Sequence, residues 1–112
     1  MNVLGTPLIS CSAFTGWKRD GYCTTDDADH GFHVVCARVT NEFLRFTKSR
    51  GNDLVTRSPS FPGLKEGDFW CLCAARWIEA YRAGVAPPIV LEATNAKVLQ
   101  RIPLAVLKQH RL

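Results

Sequence analysis

No stretch of this 112-residue chain could span a membrane as a helix. Its apolar runs, such as VCARV and IVLEA, fall far short of the roughly 20 residues a bilayer demands. The opening residues, MNVLGTPLIS, lack the basic patch and long apolar run of an export signal, so a cytoplasmic location is the expectation. Several catalytic and nucleotide-binding signatures are also missing. There is no GxxxxGK[ST] phosphate loop, GxGxxG fingerprint, HExxH helix or GxSxG elbow. Internal repeats and low-complexity tracts are absent too. From Lys97 to the end there is no acid at all, only Lys97, Arg101, Lys108 and Arg111 among the fixed charges.

What is present describes an ordinary globular chain, with 46% hydrophobic and 21% charged residues. Its length suits one domain over residues 1–112, able to bury roughly two-thirds of its unfolded surface. Fourteen basic and ten acidic side chains leave a net charge of +4. A basic tail can meet a polyanion or a protein partner, but it also describes a solvated helix face. The absence of any accompanying motif argues against nucleic acid. A monomer or a homodimer is expected, with no membrane partner.

Five cysteines stand at positions 11, 23, 36, 71 and 73. An odd count without an export signal argues against a disulfide framework. Cys71 and Cys73 would share a strand face, a poor geometry for bridging each other. The expectation is therefore five free thiols, mostly buried as small apolar side chains.

Residues 1–9 read as an edge strand or extended lead-in, followed by a long loop over Ser10–Gly31 with turns at Thr15-Gly16 and Asp20-Gly21. Loops of that length in small domains are often functional. Phe14, Trp17 and Tyr22 offer apolar area to order it. HVVCARV, from His33 to Val39, is β-branched and predicts a strand. Regular alternation would place His33 and Cys36 on opposite faces. Thr40 suits the N-cap of a helix closed by Gly51. Phe69–Cys73 predicts a second strand, followed by a helix from Ala74 that stacks Trp77 on Tyr81 and ends at Gly84. Ile89–Ala93 predicts a third strand. Thr94 then caps a helix to about Arg101, and Pro103 opens a last one. The sum is an α+β fold: a two-layer α/β sandwich with a three- to four-stranded sheet, helices on one face and long ordered loops.

The runs NVLGTPL, CSAFTGWKRDGYC, HVVCARVTNEFL, RGNDL, FPGLKEGDFWCLCAARW, AGVAPPIVLEAT and PLAVLK, in that order, resemble the bacterial domain-of-unknown-function family 2237 over nearly the whole chain. The resemblance implies a small, stand-alone α+β protein without an assigned activity. The chain departs from the family's pattern at Tyr22, where members commonly carry cysteine, and at Asn95, where they carry histidine. Any chemistry at those positions in relatives is in doubt here.

Three constellations could carry chemistry. Cys23, His33, Cys36, Cys71 and Cys73 are zinc-ligand types, but no C-x₂₋₄-C pair seeds a site, so neither a metal nor another cofactor is expected. Cys73, at the start of a helix, or Cys71 could be a nucleophile with His33 as base, although no cysteine-enzyme signature accompanies them. Trp17, Arg19, Asp20, Asp53, Asp68, Trp70 and Arg76 could line a pocket, with arginine forking a carboxylate or phosphate. The plainer reading has the three aspartates accepting backbone N–H groups in turns. A small-ligand-binding module, sited between the Trp17–Tyr22 loop and the Gly67–Trp77 segment, is the working function. A cysteine-dependent enzyme and a partner- or polyanion-binding protein are its rivals.

Overall fold

The computed structural model describes residues 1–112. Two strands, β1 (His33–Arg38) and β2 (Phe69–Cys73), pair antiparallel and are each followed directly by a helix, α1 (Asn41–Ser49) and α2 (Ala74–Arg82). Short 3₁₀ turns at Leu91–Ala93 and Ala96–Gln100 then lead to α3 (Leu104–Gln109). Helix α1 begins where the Thr40 hydroxyl accepts the Phe43 N–H at 3.1 Å, and the chain leaves it through Gly51 at φ 91°. In α2, Trp77 stacks on Tyr81 with ring centroids 5.6 Å apart, and the buried indole N–H donates to the Pro87 carbonyl at 3.1 Å.

The sheet has two strands rather than three or four. Of the predicted third strand, only Ile89 pairs, bridging Ala37 on one side and Arg111 on the other, before the backbone winds into the 3₁₀ turn. Pro87 and Pro88, which have no N–H to give a ladder, precede it. The N-terminal lead-in contributes a single bridge, Asn2 to Asn95. The segment after Thr94 is 3₁₀, not α, and its cap is Asn95, whose side chain accepts the Lys97 N–H. Thr94 instead accepts the Cys36 N–H at 3.2 Å and donates to the Val90 carbonyl.

The sheet is buried on both faces. Val35 pairs with Leu72 and Ala37 with Trp70, and all four belong to the main core with Phe43, Trp77, Ile89 and Leu107. On the other face Cys36 pairs with Cys71 in a smaller cluster with Cys23 and Ala93. The register slips between His33 and Val35, so His33 lies opposite Cys73. This bulge carries His33 to the cysteine face of the sheet, whereas regular alternation would have left it on the other.

The expectation of five free thiols does not hold. Cys11 is bonded to Cys36 and Cys23 to Cys71, and only Cys73 keeps its thiol. The Ser10–Gly31 loop lays Cys11 and Cys23 against the face from which Cys36 and Cys71 project. Cysteine parity says nothing about such a juxtaposition. Cys71 and Cys73 do not bridge each other, as the strand geometry requires.

Candidate ligand site

The long loop is built by backbone turns that demand unusual conformations. Gly16 sits at φ 91°, and a Cβ there would lie 2.1 Å from the Tyr22 carbonyl oxygen, so only glycine fits. Arg19 itself adopts φ 58°, a conformation costly for a non-glycine residue. Its guanidinium donates to the Gly16 carbonyl at 3.1 Å and lies 4.8 Å from the centre of the Trp70 ring. Phe61 meets the same indole edge-to-face at 5.1 Å.

Beside these groups His33 and Asp29 form a dyad. His33 Nδ1 is 2.6 Å from Asp29 Oδ1. Asp29 Oδ2 accepts the His33 N–H and the Thr25 hydroxyl, each at 3.0 Å. Burial pulls the Asp29 pKa upward, but the hydrogen bonds from His33 and Thr25 outweigh it and hold the carboxyl below its ordinary value. An ionised Asp29 assigns the proton to His33 Nδ1 and leaves Nε2, which has no protein partner, as the working nitrogen. The imidazole has Trp17 on one side and the Gly31 backbone close by. Trp17 stacks on it at 6.2 Å and 12°, and a Cβ on Gly31 would lie 2.4 Å from its Cε1.

These side chains border a cavity of about 490 Å³, lined by Trp17, Arg19, His33, Asp53, Phe61 and Trp70 among others, with Cys71 also reaching its wall. Aromatic walls with a few convergent polar groups are the usual make-up of a small-molecule site. Arg19 pairs with no carboxylate. Asp53, the one acid on the wall, is engaged with the Val55 and Thr56 N–H groups and the Thr56 hydroxyl. Those bonds hold its pKa at about 2.

Of the residues singled out in the sequence, Trp17, Arg19, His33, Asp53 and Trp70 come together here. Asp20, Asp68 and Arg76 do not. Asp20 accepts the Tyr22 N–H and Asp68 the Lys65 N–H, the turn roles expected of them. Arg76 donates to the Arg50 carbonyl and to Glu79. Cys73 is the Cα partner of His33 and precedes α2 but does not line the cavity. Cys23 and Cys36 lie in the disulfide cluster behind it.

Asp29 and Phe61 went unrecognised in the sequence as site residues. The available signal was the acid four residues before His33, within a loop whose other three aspartates offered no contrast.

The Cys71 sulfur is bonded to Cys23, which closes off thiolate chemistry at that position in this structure. No curated protein matches the chain. Residues 1–111 match the family model described as "Uncharacterized protein conserved in bacteria", a description that assigns no activity. The match spans all but the last residue, and with it the chain belongs to the DUF2237 family.

Proposed function

We propose that the chain is a small-ligand-binding module whose site is the cavity between the Trp17–Tyr22 loop and the Gly67–Trp77 segment. The ligand is a small, partly planar anion. One observation carries this reading. Arg19, free of any carboxylate partner, and the unpartnered Nε2 of His33 share one cavity with the rings of Trp17, Phe61 and Trp70. The guanidinium can fork a carboxylate while the aromatic walls cover the ligand's faces. His33 can donate to or accept from the ligand through Nε2, with its orientation fixed by Asp29.

The rival readings have less support. Cys73 retains a thiol at the end of β2, but it is not part of the cavity wall. In the basic tail, Arg111 pairs with Glu92 at 3.2 Å and Arg101 covers the Phe32 ring, so two of its four fixed charges are already engaged.

The test is a titration of the folded protein with benzoate, followed by amide and indole chemical shifts. Shifts should concentrate at Trp17, Arg19, His33 and Trp70, and Arg19→Ala should weaken binding by about tenfold or more, or about 1.4 kcal/mol. Absent or scattered shifts would discard the anion-binding reading.

A further inference from the structure

The cysteine cluster behind the cavity has a property that two staples do not need. Both disulfides tie the same loop to the same patch of sheet, and they lie side by side. The Sγ atoms of Cys11, Cys23 and Cys36 all lie within 4.8 Å of one another, and Cys71 is bonded directly to Cys23. Cys36 and Cys71 are direct cross-strand partners, yet each is bonded to the loop rather than to the other. Two of the four sulfurs therefore come from neighbouring strands and two from the loop.

We propose that the reduced chain holds one zinc ion in a closed Cys11–Cys23–Cys36–Cys71 tetrathiolate site, and that the two disulfides are the oxidised form of that site. A tetrahedral zinc centre with bonds of about 2.3 Å sets its sulfurs a little under 4 Å apart, within the 4.8 Å that spans the Cys11, Cys23 and Cys36 sulfurs. Cys23 and Cys36 are fully enclosed and Cys71 nearly so, with Cys11 half-buried at the rim, as suits a structural site.

Contacts besides the S–S bonds hold the backbone at each position. The Cys11 N–H donates to the Gly21 carbonyl at 2.7 Å, Asn95 donates to the Cys23 carbonyl at 3.1 Å, and the Cys36 carbonyl accepts the Val90 N–H at 2.9 Å. Ladder pairing with β1 fixes Cys71. Reduction thus leaves the Cys11, Cys23 and Cys36 thiols grouped, with the Cys71 thiol beside that of Cys23.

The conversion balances simply. A water-soluble trialkylphosphine and water reduce each disulfide to two thiols, and the phosphine becomes its oxide. One Zn²⁺ then replaces four thiol protons, which are released to solvent. Cys73 lies outside the set.

The test uses the full chain, reduced with the phosphine under anaerobic conditions and titrated with Co²⁺ and then Zn²⁺. The expected result is one equivalent of Co²⁺ per chain with the intense visible bands of tetrahedral thiolate cobalt, bleached by one equivalent of Zn²⁺. Cys36→Ser and Cys11→Ser should each abolish or blue-shift those bands, and Cys73→Ser should leave them unchanged. Far-ultraviolet dichroism of the same samples reports folding. Absence of the bands in the reduced wild-type chain, folded or not, overturns the proposal. So does their loss in Cys73→Ser with retention in Cys36→Ser.

Discussion

His33 Nδ1 lies 2.6 Å from Asp29 Oδ1, and the Asp29 side chain is fully enclosed. An acid sealed beneath an imidazole in this way makes stability depend on pH in a definite direction. The folded pKa of Asp29 is below its ordinary 3.8, so its contribution is complete above that value and is lost as pH falls through the lower folded value. Asp29→Asn should therefore lower the melting temperature most near neutral pH. The gap from wild type should shrink as the pH drops below 3.8. Thermal melts across that range would show it, and a gap independent of pH would mean that Asp29 acts only through packing.

Gly16→Ala tests the loop beneath Arg19. The substitution forces an L side chain to φ 91° and drives its Cβ into the Tyr22 carbonyl, a backbone atom that cannot swing aside. A loss of about 1–3 kcal/mol is expected in denaturant unfolding. Gly51→Ala, with an open space around its Cβ, should cost less.

Disulfide removal gives a third expectation. The bridges span 25 and 48 residues, and in metal-free buffer the loss of either should cost about 2–4 kcal/mol. Paired replacement of Cys11 and Cys36 by alanine, compared with the same change at Cys23 and Cys71, measures each separately. On loop entropy alone, the longer bridge should matter more by about 0.6 kcal/mol.

Trp77→Ala should come close to unfolding the protein. The indole is wholly enclosed, its N–H satisfies the Pro87 carbonyl, and it packs against Tyr81 and His110. Truncations of this kind cost about 3–5 kcal/mol, a large share of a small domain's stability. Trp77→Phe should recover part of that loss and leave the Pro87 carbonyl unpaired. Equilibrium unfolding of the two variants side by side reads the difference.

The readable parts of the fold were those specified by neighbours in sequence. Thr40 and Gly51 bracket α1, β-branched residues mark β1, and Trp77 and Tyr81 meet one helical turn apart. The rest depends on irregular turns and on a smaller set of long-range bridges. Of 63 backbone hydrogen bonds only 20 lie within helices and strands, so most of the chain is held by pairings that periodicity does not encode. Ile89 shows the limit: its flanks look like a strand, but it bridges one residue on each side and the ladder goes no further. The site suffered likewise. Trp17 and Arg19 stood out as aromatic and cationic residues in a turn, and Trp70 as an aromatic at the start of a strand. Asp29 meets His33 only because the loop folds back through Thr25 and because one extra residue in β1 turns the imidazole over.

The order of the bridged cysteines has a further consequence for the covalent chain. Cys11 pairs with Cys36 and Cys23 with Cys71, so the two linkages interleave instead of nesting. A single backbone cut anywhere between positions 11 and 71 leaves both pieces joined by at least one linkage. Trypsin acting at the exposed Lys18-Arg19 step would therefore nick the oxidised protein without releasing a fragment. The same nick would free the N-terminal piece once the sulfur bonds were reduced.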